Sequence, residues 1–357
     1  MNVTVIRADE LTADLMREWD RIQRASPELA SPYFRPEFTA AVAMVRRDVR
    51  LAVLREGERI VGFFPFQRNW LGIGKPVGGA LSDYHGVIIE PGIELEVRSL
   101  LRACGLVVWD FNHLVASQTM FAPYRRTADE SPYMDLSRGY DAYMTERREA
   151  GTREITEASR KRRKLDREVG PVRFVAEVGD PHVLAELAQW KSQQYIASGL
   201  VDVFGFGWTL RLLEVIRGMR GSGFAGVLSA LYAGDVLVAA HMGMRSRTAW
   251  HYWFPAYDQQ YARYSPGLIL LLEMAQHASS IGIRAIDLGK GDSRYKHSLM
   301  SGAVPLMEGS AHRPSLVARL RKLASQTEAF VRRTPLVVPA RIPGRLLFRI
   351  KRRLRFR

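Results

Sequence analysis

The segment from Trp250 to Lys296 constrains the fold of this chain more than any other. It begins Trp250-His251-Tyr252-Trp253-Phe254-Pro255-Ala256-Tyr257-Asp258, an aromatic run with the alternation of a strand. Tyr261-Ala262-Arg263-Tyr264-Ser265-Pro266-Gly267 follows, then a long apolar stretch that opens as helices do, with serine as the cap and proline in the first turn. A short apolar strand at 284–288 runs into Asp287-Leu288-Gly289-Lys290-Gly291-Asp292-Ser293-Arg294-Tyr295-Lys296, a polar loop rich in glycine. This order sets an open helix N-terminus beside a strand end and a polar loop. Such an arrangement holds an anionic group and a reacting group side by side.

The same order occurs twice. In the second half, 225–232 and 236–243 form a hairpin around Gly234-Asp235, followed by a strand at 248–255, a helix at 266–280 and the strand 284–288. In the first half, Leu51–Leu54 and Ile60–Phe66 flank a Glu56-Gly57-Glu58 turn. A glycine-rich stretch from Gly72 to Gly79, a helix at 94–104 and a strand at 106–111 come after it. The match is one of pattern and order, with little residue identity, and it predicts an internal duplication of one α/β unit. Further helices are expected at 10–24, with Leu11, Leu15, Trp19 and Ile22 at helical spacing, and at 36–46, 153–168 and 181–198. The stretch 153–168 reads as a solvated helix ended by Gly170-Pro171.

A chain of 357 residues exceeds the usual single domain, and 47% hydrophobic residues suffice for ordinary cores. No run approaches the roughly 18 apolar residues that a membrane span requires. The N-terminus has no basic region followed by an apolar one, so no signal peptide is expected. The single cysteine, Cys104, excludes an intrachain disulfide and a cysteine-rich metal site. It falls between a helix and a strand and is expected to be buried. These features together predict a cytoplasmic setting. The net charge of +15 is concentrated at one end: from Arg313 to Arg357 there are 14 Lys or Arg against one acid, Glu328. The rest of the chain is close to neutral. The basic tail interleaves Leu346, Leu347, Phe348, Ile350, Leu354 and Phe356 with arginines, the composition of an anchor for an anionic membrane surface. Nucleic acid is the weaker alternative, because the basic helix has no helix-turn-helix context.

Several side chains are suited to chemistry. Asp287 ends a strand beside the glycine-rich loop, where a carboxylate accepts a proton or orients a neighbour. Lys296 can neutralise negative charge, or bind an anionic substrate group. The alternative is an Asp-Lys pair that only fixes the loop, with Tyr295 simply packed. His241 and His251 are strand histidines whose imidazoles titrate near neutrality. On the third strand Trp250, Tyr252 and Phe254 are expected on one face, with His251 and Trp253 on the other. Asp83-Tyr84-His85 is the polar cluster between apolar strands of the first half. It is either the acceptor side of an inter-domain cleft or a plain turn. No phosphate-binding P-loop, no His-Glu-x-x-His or Cys-x-x-Cys zinc pattern and no Gly-x-Ser-x-Gly elbow is present.

The hairpin at 225–243, Trp253 through Asp258, Ser265-Pro266-Gly267, and Asp287-x-Gly289-x-Gly291 followed by Tyr295-Lys296 carry a family likeness. From Gly151 to about Val317 the chain resembles the acetyltransferase domain of the CelD/BcsL-like proteins of cellulose biosynthesis, within the GNAT superfamily. The first half resembles the degenerate partner domain of those proteins and of the related Fem-type peptidyl transferases. The superfamily's Arg/Gln-x-x-Gly-x-Gly/Ala loop is absent, and Gln260 to Gly267 stands in its place with one glycine. The resemblance implies an α/β (α+β) fold of tandem GNAT-like domains, each a mixed, mostly antiparallel sheet flanked by helices. The domains expected are 1–150, 151–312 and a polybasic tail, 313–357.

It further implies acyl transfer from acetyl-CoA or another acyl-CoA, without a metal, to a hydroxyl or amine of a sugar or glycan precursor. The enzyme would be cytoplasmic, or peripheral at the inner face of the plasma membrane. Tyr264, Ser265, Pro266 and Gly267 would hold the cofactor. Asp287 or His241 would accept the proton, and Tyr295 or Lys296 would assist the leaving thiolate. Backbone N–H groups of the second-half hairpin would polarise the carbonyl. Asp83, Tyr84, His85, Trp253 and Tyr257 would meet the acceptor. Two other readings stay open: an aminoacyl-tRNA-dependent transferase of the Fem kind, and a non-catalytic, membrane-docked scaffold of a polysaccharide complex.

Overall fold

Strand β1 (Asn2–Arg7) pairs antiparallel with β2 (Val49–Glu56), and β2 with β3 (Arg59–Arg68) across a turn where Gly57 takes a φ of +59°. The computed structural model describes residues 1–314. The tail from 315 onward, and with it the membrane-anchor expectation, lies outside the described residues. The chain divides into two units: Met1–Ser26 with Val42–Ala128 and the segment from Met307, and Pro27–Ala41 with Asp129–Leu306. The boundary expected at 150 falls inside the second unit.

In the first unit α1 (Ala13–Arg24) is capped by Thr12, whose side chain accepts from the Leu15 N–H at 3.3 Å. Its Trp19 and Ile22 are fully buried, and Trp19 stacks on Phe63 at 4.8 Å. Helix α2 (Pro36–Val45) begins in the second unit and ends in the first. Strand β4 (Ile73–Lys75) continues the sheet from β3, and β5 (Ile88–Ile89) pairs with β3 separately. Helix α3 (Val97–Ala103) then returns the chain to β6 (Val108–Val115), which lies parallel to β4. Phe64, Phe66, Trp109, Phe111 and Phe121 fill this core. Each such ring is worth about 1.5–3 kcal/mol of burial. Cys104 is buried among them, as expected, and burial pushes its thiol up to about 12.

Strand β7 (Arg125–Asp135) leads into the second unit, followed by α4 (Tyr140–Glu149) and α5 (Arg153–Glu168). Next come β8 (Val172–Val175), α6 (Pro181–Ala197) and α7 (Gly207–Gly218). An antiparallel run of β9 (Ala225–Ala233), β10 (Val236–Arg245) and β11 (Ala249–Tyr257) forms the centre of the sheet, with β8 on β9. Helix α8 (Pro266–Ser280) crosses to β12 (Ala285–Asp287), which lies parallel to β11 and antiparallel to β7. Helix α9 (Arg294–Leu299) and β13 (Gly302–His312) follow. Each unit thus has a hairpin, a strand, a helix and a parallel strand in that order, the duplication expected from the sequence.

Two expectations need correction. Helix α5 is not simply solvated. Ile155, Ala158 and Leu165 are buried, and Arg162 donates to Glu273 of α8 at 2.9 Å. Three apolar residues on one face of a helix otherwise dense in charge are easy to miss, because basic side chains cover apolar surface with their stems. On β11 the alternation also breaks. Between the pairs Met242–Phe254 and Met244–His251, two residues of β11 stand opposite one of β10. Trp250 and Tyr252 pack into the core beneath α8, whereas Phe254 meets Phe204 at 5.2 Å. A bulge rotates every side chain beyond it.

Gly226 of β9 lies against the last turn of α7, where an added Cβ would strike the Ile216 carbonyl and sit 2.8 Å from the Arg217 nitrogen. Backbone cannot step aside there. Gly226→Ala is therefore expected to lower stability by about 1–3 kcal/mol in urea unfolding. Gly207→Ala, at a helical position with open space, is expected to be neutral or to gain about 0.4–1 kcal/mol.

Candidate active site

Strands β11 and β12 pair over only three residues, Ala249–Ala285, Trp250–Ile286 and His251–Asp287. Beyond that point β12 stops and β11 continues through Tyr257, paired on its β10 side. Two parallel strands that part in this way open a wedge whose apex is the last pair, His251 and Asp287. The β11 bulge opens into the same place. It leaves a residue off the ladder where backbone groups are available to a ligand. Gly243 stands opposite the bulge because a Cβ there would meet the His251 carbonyl and lie 2.6 Å from His241 Nε2.

At the apex, Asp287 Oδ1 accepts from the Ser131 hydroxyl at 2.9 Å and from the Gly289 N–H at 2.7 Å. His251 Nδ1 lies 3.0 Å from the same oxygen. The contact is an ion pair when the ring is protonated. His251 is fully enclosed, with Tyr33 packed edge-on at 5.0 Å. Asp287 keeps 11% of its side chain exposed and is the member of the trio that reaches the surface. The glycine loop supports it from below: Lys296 Nζ donates to the Gly289 and Lys290 carbonyls at 2.9 and 3.1 Å.

His241 stacks flat on Tyr252 at 4.7 Å and is fully buried, with no hydrogen bond of ordinary geometry at either ring nitrogen. Burial pushes it down to about 3, reinforced by His251 and Lys191 and opposed by the His251 backbone. It stays a neutral imidazole at any physiological pH. That removes it as the proton acceptor considered in the sequence reading, since the cation it would become has no solvation. Tyr295 is also buried, which pushes its hydroxyl up to about 12. Full transfer of its proton to a thiolate of ordinary pKa, near 8.5, is uphill. Tyr295 can donate a hydrogen bond to that sulfur but is a poor acid for it.

The α8 N-terminus differs from expectation in one respect. Ser265 does not cap the helix. It takes φ +51° and ψ +53°, the left-handed conformation, and its hydroxyl accepts from Lys161 Nζ at 2.8 Å. Among described non-glycine residues it alone has positive φ. The first-turn N–H groups beyond Pro266 are therefore without a side-chain cap. Tyr252 donates to the Gly267 carbonyl at 3.3 Å, which ties this helix start to the strand that carries His251. Tyr257 lies against Gly267. Tyr264, by contrast, is buried with its hydroxyl on Glu168 at 2.9 Å. Trp253 packs on Tyr33 and Phe38.

Asp83, Tyr84 and His85 belong to the first unit. There His85 donates from Nε2 to the Ser82 carbonyl at 2.9 Å and accepts at Nδ1 from His113 N–H at 3.2 Å. Both ring nitrogens are thus engaged by backbone. Among the described residues no cluster of three His, Cys, Asp or Glu is arranged to hold a metal, and no helix is long and apolar enough to cross a membrane.

Sequence reasoning weighed His251 but did not rank it, and missed Ser131, Tyr33 and Lys191. The imidazole beside Asp287 follows from strand register alone. Ser131 lies 156 positions away in sequence and carries no local signal.

Residues 152–297 match the acetyltransferase (GNAT) domain model. Solved structures give the same fold. FemX superposes with a TM-score of 0.56 at 9% identity, covering 87% of this chain and 96% of that one. The C-terminal domain of a putative lysylphosphatidylglycerol synthetase from Agrobacterium fabrum gives 0.51 at 11% identity, over 87% and 96%. A tandem GNAT protein from the clavulanic acid pathway gives 0.51 at 9% identity, over 88% and 99%. No curated protein matches by sequence. Residues 152–297 therefore form a GNAT acyltransferase domain, and the chain shares the fold of tandem GNAT proteins.

The His241 shift has a consequence for stability. Its folded pKa, about 3, lies below the ordinary 6.5, so the unfolded chain takes up a proton that the native state refuses. The resulting stability is fully present above pH 6.5 and is lost as pH falls toward 3. Between pH 7 and pH 4 the loss attributable to this ring is about 3 kcal/mol. Urea unfolding of His241→Gln should show a shallower fall over that window than the parent. An unchanged slope would remove the assignment.

Proposed function

We propose that this protein transfers an acyl group from acyl-CoA to a hydroxyl or amine of a sugar or glycan precursor, in the manner of the CelD/BcsL-like proteins. The observation that carries the donor half is the wedge between β11 and β12, with an uncapped helix start beside it and Asp287 at its apex. The pantetheine arm would lie along the unpaired edge of β11, and its phosphates at the first turn of α8. There the helix dipole and the Gly267 N–H favour an anion, and Lys161 adds positive charge. This compensates for the missing glycine-rich loop.

In the reaction the acceptor oxygen or nitrogen attacks the thioester carbonyl, and Asp287 takes the proton it loses. His251 acts as a positioning residue that steadies Asp287, and the Ser131 hydroxyl and Gly289 N–H fix its rotamer. Backbone N–H at the β11 bulge would meet the carbonyl oxygen as it becomes an oxyanion. Collapse of the tetrahedral intermediate breaks the carbon–sulfur bond and releases the thiolate, which Tyr295 would stabilise by a hydrogen bond before solvent protonates it. The proposed setting is the cytoplasm, with the basic tail against the anionic inner face of the plasma membrane.

A second reading is favoured by one observation. Helix α5 carries Arg160, Lys161, Arg163 and Lys164 and reaches Ser265 at the start of α8. A run of cations at the donor site also suits the phosphates of an aminoacyl-tRNA, the donor of a Fem-type transferase.

Thermal unfolding with acetyl-CoA, longer acyl-CoAs and aminoacyl-tRNA separates the two, since a ligand that binds only the native state raises Tm. An acyl-CoA shift is expected, near 2.7 kcal/mol of added stability at a hundredfold excess over Kd. It should weaken in Lys161→Gln. Asp287→Asn is expected to cut CoA release in the presence of amino sugars by about 10²–10⁴. Full turnover in both Asp287→Asn and Lys296→Ala would remove the site assignment. A shift with aminoacyl-tRNA alone would transfer the donor to the second reading.

A further inference from the structure

The turn between β3 and β4 puts apolar groups where turns ordinarily carry polar ones. Trp70 is 90% exposed and Leu71 45%. The turn itself is firmly built. Asn69 Oδ1 accepts from the Leu71 and Ile73 N–H groups, both at 3.0 Å. The Asn69 backbone accepts from the Gly72 N–H and donates to the Ile73 carbonyl, each at 3.1 Å. Gly72 takes φ +72°, and an added Cβ there would stand 3.0 Å from the Gly105 carbonyl oxygen, so the turn rests directly on the link from α3 to β6. These bonds hold the backbone and leave the indole outside, against solvent.

The surroundings are basic. The segments that meet here, 65–75, 98–109 and 309–314, hold five Lys or Arg and no Asp or Glu. Arg68 donates to the Cys104 carbonyl at 2.8 Å, and Arg102 lies in the last turn of α3. The neighbouring Asp48 is engaged by Arg46 and Gln67. The described residues also end at this edge. Val107 donates to the Gly72 carbonyl at 2.8 Å, and Arg313 to the Val107 carbonyl at 3.0 Å. Arg313 is thus two strand spacings, roughly 10 Å, from the turn. With Arg313 begins the sequence that holds 14 Lys or Arg against one acid.

Attachment to a bilayer by charge alone is weak and is screened by salt. Stable anchoring takes a second signal, apolar groups set into the headgroup layer. Tryptophan suits that layer because its ring is apolar while its N–H finds water or a headgroup. We propose that the Trp70–Leu71 turn inserts into the interface of an anionic lipid bilayer beside the basic tail, and that the two together hold the protein at the membrane. A projecting turn of two apolar residues suits a fluid layer that closes around it, whereas a protein partner needs a patch of about 20–30 residues. The inference rests on the membrane setting proposed above.

Sedimentation of the full-length protein with vesicles of phosphatidylcholine and phosphatidylglycerol, at physiological ionic strength, tests it. Wild type should bind, Trp70→Ala should bind about tenfold more weakly, and Trp70→Phe should keep most of the affinity. Ile196→Ala, which trims an exposed apolar residue of α6 in the second unit, should bind as wild type does. With lipids brominated in the acyl chain, the tryptophan emission of bound wild type should be quenched and that of bound Trp70→Phe should not. Melting curves check the variants, and the phenylalanine form keeps the test valid if the alanine form does not fold. Absence of wild-type binding to these vesicles overturns both the membrane setting and the insertion. Equal affinity in wild type and Trp70→Ala, or equal quenching in wild type and Trp70→Phe, overturns the insertion and leaves the setting to the tail. A dimer in lipid-free sedimentation velocity that Trp70→Ala abolishes assigns the turn to a second copy of the chain and overturns the insertion as well.

Discussion

The three-residue parallel pairing of β11 with β12 is the constraint on which the candidate site depends. Longer pairing would fill the wedge with ladder hydrogen bonds, and none at all would leave Asp287 without a fixed position. Ending at His251–Asp287, the pairing delivers an imidazole and a carboxylate as neighbours with no loop between them. It also leaves the far half of β11 with one side unpaired, a set of backbone donors and acceptors that a ligand can use. The bulge adds to this, and the bulge in turn needs Gly243, since no other residue fits between the His251 carbonyl and the His241 ring.

Around that constraint the polar groups divide by burial. Asp287 and Lys296 keep a little exposure, each anchored through the glycine loop. His251 and His241 lie behind them. One is held by a carboxylate. The other stacks on Tyr252, and burial dominates its titration. Two histidines on neighbouring strands thus have opposite uses. His251 can share charge with Asp287, whereas His241 contributes shape and a low dielectric. A low dielectric strengthens every charge interaction nearby.

Much of the fold was legible in the sequence because local rules and tertiary order agree here. Both hairpins announce themselves by alternation around Glu56-Gly57-Glu58 and Gly234-Asp235, and α8 by Ser265-Pro266-Gly267 ahead of an apolar run. The duplication was legible as order without identity. What escaped depends on register and approach. A bulge is invisible to alternation counting, so Phe254 was placed with the wrong neighbours. Ser265 fits the capping rule by type, yet the chain arrives from the turn at 259–264 in a direction that forces it left-handed, and its hydroxyl turns to Lys161 instead. Asp287 and Lys296 could be singled out because a glycine loop follows a buried strand. Ser131 and Lys191 could not, since each belongs to an element whose own pattern is ordinary.

The left-handed serine bears on how such a site works without the usual glycine loop. A glycine-rich turn lets backbone approach a pyrophosphate because glycine adopts positive φ freely. Here a single non-glycine residue adopts it, at a cost of roughly 1–2 kcal/mol. Lys161 offsets part of that cost by holding the hydroxyl. The conformation keeps the serine side chain off the helix start and turns its carbonyl to the Leu268 and Ile269 N–H groups, so Gly267 carries the first-turn N–H that no cap meets. Strain in one residue and a lysine borrowed from a neighbouring helix thus leave a positive helix terminus without a side-chain cap beside β11, which is what the proposed donor site requires.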